Sequence, residues 1–442
     1  MSAGNSIIRF SISPEATLVP SRGDSRYVDF HLRADATRHP VTERDRQRLP
    51  LSLGLVLDRS GSMSGAKIET AKRAVLQVLA RLNEHDRVSL VIFDDHIDVL
   101  QPSTAATDAL KWHLSQQLAR VHARGSTALH EGWLTGCHSI ADDDPGRSLG
   151  RPARVFLLTD GLANVGQTDP ETIASEAAQI HVRTGITTST FGIGSDYDEG
   201  LLGPMAVAGG GQFHHLRHPD DILSTFAGEL GALLHTVATG VSLEVEVGSG
   251  VDFEVVSAYW AERTSPTGGW RVTVGDLTAG EERHLVARLR LPPGSQRSAQ
   301  RIRARVTWTS GGVAQQGSWQ ELAFTYASEQ EAEREQRDRG VIHWAGLHES
   351  ARARQRASYL NQQGDTNAAG DLLRKTSAMI AAMAADDAEL TQAVRDLRDL
   401  SDRVSTPMSP DVAKEMSFVS QAFSRGQRDY RQPKRRPQGK PK

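Results

Sequence analysis

A single cysteine, Cys137, serves all 442 residues. One thiol closes no internal disulfide and builds no cysteine-rich zinc site, which fits a reducing compartment. Phe, Trp and Tyr together make up only 5% of the chain, too few for a platform that stacks the bases of single-stranded nucleic acid. Long apolar runs are missing as well. No stretch approaches the ~20 residues that cross a bilayer as a helix, so no membrane span is expected, and a channel or integral transporter is excluded. The opening residues, MSAGNSIIRFSISPEATL, carry no basic segment followed by a sustained apolar run. The expected location is therefore the cytoplasm.

What is present is ordinary for a folded protein. Apolar residues account for 38% and charged residues for 24%, enough to bury a core, and the length suits two or three domains. The net charge of -3 is unevenly spread. From Arg425 onward eight basic residues face one acid, Asp429, giving the tail +7 and leaving -10 on the body. An acidic body does not suit a nucleic-acid groove, and a short Pro/Gln/Lys/Arg tail reads as a solvated, disordered end.

Along the chain, Ser6–Ser13 and Arg26–Ala34 alternate apolar and polar residues, as half-buried strands do. A polar run, RHPVTERDRQR, follows. At Leu51 the texture changes to LSLGLVL, the mark of a strand covered on both faces. Ile68, Ala71, Val75, Val78 and Leu82 then form one helical stripe. Strands VSLVIF, ARVFLLTD, ITTSTFGIG and GQFHHL alternate with helical stretches up to about Ala238, and IDVL reads as a short edge strand. This pattern predicts an α/β, doubly wound, mostly parallel six-stranded sheet. After Gly240 strands return at even spacing: VSLEVEV, FEVVSAYW, WRVTVGDL, HLVARLRL, RIRARVTWT and QELAFTYA, a β-sandwich pattern. The N-terminal strands are expected to complete that sandwich, with the α/β domain inserted in it. From Glu329 the texture is helical, with a hairpin around the Gly364-Asp365 turn. The expected domains are 1–48 (N-terminal sandwich strands), 49–238 (α/β), 239–328 (sandwich), 329–425 (helical) and 426–442 (basic tail).

The chemistry is carried by three segments. The first α/β strand ends in Asp58-Arg59-Ser60-Gly61-Ser62, the fourth ends in Thr159-Asp160-Gly161, and Arg124-Gly125-Ser126-Thr127 precedes a helix. In an open α/β sheet the crevice lies beyond the carboxyl ends of the strands where strand order reverses, so the three segments are expected to meet there. Asp58, Ser60, Ser62, Thr127 and Asp160 then offer hard oxygen ligands with no sulfur and no imidazole. That set selects Mg²⁺, Mn²⁺ or Ca²⁺ over zinc or copper. Magnesium takes about six ligands, which leaves room for a carboxylate brought by another molecule. Taken alone, D-x-S-x-S is also a helix N-cap turn.

The DRSGS, GST and TDG segments resemble the metal-ion-dependent adhesion site (MIDAS) of the von Willebrand factor type A (VWA) domain, a resemblance that covers Leu51 to about Ala238. It implies Ser60, Ser62 and Thr127 as direct ligands, with Asp58 and Asp160 binding directly or through water. TDGLANVG matches the extended loop of many bacterial members. The flanking GDLTAGEERHLVARLRLP and the helical C-terminus resemble bacterial VWA proteins related to the inter-alpha-trypsin inhibitor heavy chains.

Other motifs point less clearly. Ser64-Gly-Ala-Lys67 matches S-x-x-K, but Arg183-Thr184-Gly185 precedes Ser195-Asp196, the wrong order for a serine β-lactam enzyme. Lys67 is expected on the solvent face of its helix. His214, His215 and His218 resemble a zinc cluster, yet adjacent strand residues face opposite ways. The Leu/Ala/Met stripe of the C-terminal helices reads as core or as a partner surface. The expected function is a non-enzymatic adaptor or scaffold whose bound cation bridges to an Asp or Glu of a protein partner. A metal-dependent hydrolase at the same site and an oligomeric assembly protein are the alternatives.

Overall fold

Alternation decides the faces of the first strands. In a computed structural model, which describes residues 7–35, 50–141, 151–194 and 196–404, β1 (Ile8–Pro14) and β3 (Asp24–Ala34) pair antiparallel, with Phe10 opposite Leu32 and Ile12 opposite Phe30. Val28, Phe30, Leu32 and Ala34 are all fully buried. Between these strands lies β2 (Leu18–Pro20), a short piece without an alternating signature. The polar run after Ala34, Ser195 and the basic tail lie outside the described residues.

The apolar run at Leu51 becomes β4 (Ser52–Asp58), buried at every position. A tight turn at Gly61–Met63 leads into α1 (Ala66–Arg81). Then come β5 (Arg87–Phe93), β6 (Ile97–Ala105), α2 (Asp108–Ala119), α3 (Leu129–Ala141), β7 (Ala153–Thr159), α4 (Pro170–Thr184), β8 (Ile186–Ile193), α5 (Glu199–Ala208), β9 (Gly210–Leu216) and α6 (Asp221–Leu234). The sheet order is β6-β5-β4-β7-β8-β9. All neighbours are parallel except β6, which runs antiparallel on β5. Leu53, Leu55 and Leu57 face a core shared with α1, α2 and α6, while Val56 faces one shared with α3, α4 and α5. Helices thus cover both faces, as an all-apolar strand requires. The edge strand β6 is longer than IDVL suggests, because Gln101, Thr104 and Ala105 also pair with β5. The closing helix stops at Leu234 and β10 (Thr236–Val247) starts at once. The β-branched Thr236 and Val237 favour extended backbone.

The remaining strands are β11 (Asp252–Val255), β12 (Trp260–Ser265), β13 (Gly269–Thr278), β14 (Glu282–Leu291), β15 (Ala299–Ser310), β16 (Val313–Gln316) and β17 (Gln320–Ala327). One sheet has the order β1-β3-β14-β11 and the other β12-β13-β10-β15-β17-β2, with β16 on β15. Side chains from both enclose one core that includes Phe30, Leu243, Leu285 and Phe324. The N-terminal strands do join this arrangement: β3 pairs with β14, and β2 runs parallel to β17. The segment FEVVSAYW is not one strand. It splits at Val256–Tyr259 into β11 and β12, which belong to different sheets.

The C-terminal part forms α7 (Glu329–Arg334), α8 (Arg339–Gln362), α9 (Thr366–Met383) and α10 (Ala388–Arg403). Gly364, at a φ of 84°, makes the hairpin turn, and Asp365 caps α9 by accepting from the Ala368 N–H. The apolar stripe of these helices is core. Ala357, Leu373, Ile380, Leu390 and Leu397 are buried with Tyr27, Val256 and Val286 from the outer face of the four-stranded sheet. Among the described residues, no helix is long and apolar enough to cross a membrane.

Candidate metal centre at the carboxyl ends of strands β4 and β7

Strands β4 and β7 are hydrogen-bonded neighbours, so Asp58 at the end of one and Asp160 just past the end of the other are brought together. Both carboxyls are fully buried. The Asp58 Oδ1 accepts the Ser60 N–H at 2.7 Å, and its Oδ2 accepts the Thr159 hydroxyl at 2.5 Å. Burial pushes the Asp58 carboxyl up to about 6, the nearby Asp160 adds to the rise, and the bonds from Thr159 and Ser60 oppose it.

The Ser62 hydroxyl donates to the Asp160 Oδ1 at 2.7 Å and lies 3.1 Å from the Ser60 hydroxyl. Thr127 is carried by the loop before α3. That loop is held by Gly61 N–H to Gly125 O (3.1 Å), Arg124 N–H to Arg59 O (2.7 Å) and Ala128 N–H to Asp94 O (2.7 Å). Gly161 gives the clearest measure of convergence. A Cβ there would lie 3.3 Å from the Ser62 Oγ, 3.3 Å from the Thr127 Oγ1 and 3.8 Å from the Ser60 Oγ. Three hydroxyl oxygens therefore surround one point, which glycine leaves open. Hydroxyls and carboxylates at such spacing are the hard donors that Mg²⁺, Mn²⁺ or Ca²⁺ take, so the residues fit the ion their pattern suggests.

Several contributors carried no signal of their own in the sequence. Thr159 belongs to the TDG triplet yet acts as a donor to Asp58. Asn164, in the loop after Gly161, accepts the Thr127 N–H at 2.9 Å and returns its own N–H to the Thr127 carbonyl at 3.2 Å. Arg59 is buried and turned away from the pocket, donating to Asp94 (2.9 Å) and Asp98 (2.5 Å). Burial raises the Asp94 carboxyl, but bonds from Arg124, His96 and Arg59 outweigh it and hold it below its ordinary value. This ion network braces the two loops against each other.

Lys67 departs from expectation. It is the second residue of α1, and its ammonium is turned into the pocket to pair with the Asp160 Oδ2. Its side chain is 25% exposed, whereas Asp160 is fully buried. The buried anion attracts it from the solvent face that helix periodicity assigns. The histidines face apart as strand alternation requires: His214 Nε2 meets the Glu229 carboxylate at 3.2 Å, and His215 Nδ1 meets the Tyr197 hydroxyl at 2.6 Å. The His218 N–H donates to Asp221. They form no zinc cluster with one another.

Residues 53–225 match the family model described as the von Willebrand factor type A domain. The chain carries a VWA domain. An uncharacterized protein of Synechocystis is 30% identical over 261 residues, 56% of this chain and 59% of its own length. E3 ubiquitin-protein ligase WAV3 of Arabidopsis thaliana is 26% identical over 72% of this chain and 41% of its own length. Inter-alpha-trypsin inhibitor heavy chain H4 of Homo sapiens is 26% identical over 39% of this chain and 19% of its own. The chain thus spans three fifths or less of these relatives. Among solved structures, a von Willebrand factor type A protein from Catenulispora acidiphila overlays with a TM-score of 0.72, covering 95% of this chain and 98% of that one at 19% identity, which places the fold. VWA domains commonly bind a divalent metal and often take part in protein interactions, and among the described residues His31 with Glu282 and His284, and Asp94 with Asp95 and His96, are grouped closely enough to be candidate metal ligands.

Proposed function

We propose that this protein is an adaptor or scaffold that binds Mg²⁺, or Mn²⁺ or Ca²⁺ in its place, and uses it to hold an Asp or Glu of a protein partner. Ser60, Ser62 and Thr127 would bind the ion directly, and Asp58 and Asp160 directly or through water. The observation that carries this reading is the meeting of three hydroxyls from two distant segments around the open face of Gly161. When bound, such an ion supplies a Lewis-acid position for a carboxylate oxygen. The protein's own residues do the rest. Thr159 and the Ser60 N–H hold Asp58 in one orientation, Ser62 orients Asp160, and Asn164 fixes the backbone of Thr127. The sandwich and the helices then serve as the rigid support. The working location in this reading is a bacterial cytoplasm.

The test is capture of protein partners from native lysate with Mg²⁺ and with EDTA in parallel, using the wild type and Asp58→Ala/Thr127→Ala. Bands that need both Mg²⁺ and the intact residues support the proposal. Capture unchanged by EDTA contradicts it.

A hydrolase is the second reading, and one observation favours it: Asp58 and Asp160 stand together at the ends of paired strands, where they would position a metal-bound water. The relative WAV3 is named as an enzyme. A phosphatase and esterase screen with Mg²⁺ separates the readings, since turnover lost in Asp160→Asn would favour the hydrolase. Assembly into oligomers is the third, read by light scattering with and without Mg²⁺.

A further inference from the structure

Lys67 is a cation already resident at the candidate metal centre. It stands at the second position of α1, just after Gly65. The amide end of a helix carries partial positive charge and disfavours an ammonium, so helix stability does not account for a lysine there. What compensates is Asp160, fully buried and bonded through Oδ2 to Lys67 and through Oδ1 to Ser62. The ammonium lies deep enough that a Cβ on Gly194, at the end of β8, would be 4.0 Å from it. Both oxygens of the carboxyl are therefore committed, one of them to a full positive charge.

The consequence is electrostatic. Two carboxylates, Asp58 and Asp160, give the pocket a charge of -2, and Lys67 reduces it to -1. A divalent cation entering beside Ser60, Ser62 and Thr127 meets a net charge of -1 instead of -2 and so a weaker attraction than the acids alone would provide. It also meets the repulsion of an ammonium bonded to one of its candidate ligands. With the ion in place the same count gives +1 rather than zero, a net charge that favours an anionic visitor.

We infer that Lys67 regulates the metal centre by opposing the entry of the divalent cation and leaving the loaded pocket net positive, which favours a carboxylate-bearing partner. This rests on the metal-binding reading above. Loading by the ion alone is then weak, and loading together with a carboxylate is favoured, so occupancy follows the partner.

The test is titration of the full chain with Mn²⁺, following free Mn²⁺ by electron paramagnetic resonance, with and without acetate. The variants are Lys67→Met, Lys67→Gln and Lys67→Arg, with Asp58→Ala/Thr127→Ala as the site control and circular dichroism confirming that each is folded. Removing the charge in Lys67→Met or Lys67→Gln is expected to tighten Mn²⁺ binding about tenfold, the scale of one charge-assisted bond. Acetate should strengthen Mn²⁺ binding in the wild type and do so less in these two variants. Lys67→Arg, which keeps the charge, should stay near wild type. If the wild type binds one Mn²⁺ that the site control loses, yet Lys67→Met and Lys67→Gln bind it no more tightly, the inference about Lys67 is overturned and the metal site stands. If the site control binds Mn²⁺ as well as the wild type, or no chain binds it, the metal reading and the inference fall together.

Discussion

The Ser62 hydroxyl donates to the Asp160 carboxylate at 2.7 Å across 98 residues of sequence. The bond closes the pocket between the turn after β4 and the loop after β7. Ser62 is itself exposed, so its removal costs little packing. Ser62→Ala is nonetheless expected to lower stability by about 1–3 kcal/mol, because the buried Asp160 Oδ1 loses its donor. It should weaken Mg²⁺ binding by at least about 10-fold to 100-fold, the range for losing a group that orients a metal ligand, since Ser62 both orients Asp160 and would itself bind the ion. Thermal melts and calorimetric Mg²⁺ titration read the two effects separately.

Gly161 makes a steric prediction. The methyl of Gly161→Ala would sit 3.3 Å from the Ser62 Oγ and the Thr127 Oγ1, a contact that forces the oxygens apart by a few tenths of an ångström. The variant should fold, because Gly161 does not adopt positive φ. Its Mg²⁺ affinity should fall at least as far as that of Ser62→Ala. Wild-type affinity in a folded Gly161→Ala would place the ion elsewhere.

A buried ion cluster ties the α/β sheet to its neighbours. Arg154 on β7 donates to Glu229 on α6 at 2.6 Å and to Asp276 on β13 at 3.0 Å, and all three side chains are almost fully buried. Removing one partner strands the other charges. Arg154→Met should destabilise the protein by about 3–5 kcal/mol, measured by urea denaturation. The exposed pair Arg301–Glu321 serves as the contrast, where Arg301→Met should cost only about 0–1 kcal/mol.

His348 makes a pH prediction. It is fully buried on α8, and burial pushes its imidazole down to about 3, against an opposing hydrogen bond that the ring donates to the His284 backbone carbonyl. The unfolded chain takes up this proton near the ordinary value of about 6.5, the folded one only near 3. Stability from this group is complete above about 6.5 and declines as pH falls from there toward 3, by about 1.4 kcal/mol per pH unit within that window. The loss of stability between pH 6 and 4.5 should therefore be shallower in His348→Leu than in the wild type. Equal slopes would refute the assignment.

The α/β sheet was legible because β4, β5 and β7 are largely apolar on both faces, a texture that little else in a protein produces. The neighbouring positions of β4 and β7 followed from that sheet type, and with them the meeting of Asp58 and Asp160. The FEVVSAYW segment was misread because its strand texture runs unbroken while the chain crosses between sheets at Val256–Tyr259. β2 is too short to show any period and owes its place to pairing with β17. Lys67 was placed on the solvent side because helix periodicity counts only apolar residues, and it is Asp160, 93 positions away, that attracts it inward. Arg59 and Asn164 lie within the DRSGS and TDGLANVG segments, but their roles were not legible there, since their partners are set by loop packing.

The central claim is that Ser60, Ser62 and Thr127 surround one divalent ion. The most direct measurement is anomalous diffraction from crystals of the full chain soaked in Mn²⁺ together with acetate. The account predicts a single strong manganese peak in front of Gly161, within bonding distance of all three hydroxyl oxygens. A pocket without that peak, or a peak held by other residues while these hydroxyls keep their bonds to one another and to Asp160, would contradict it.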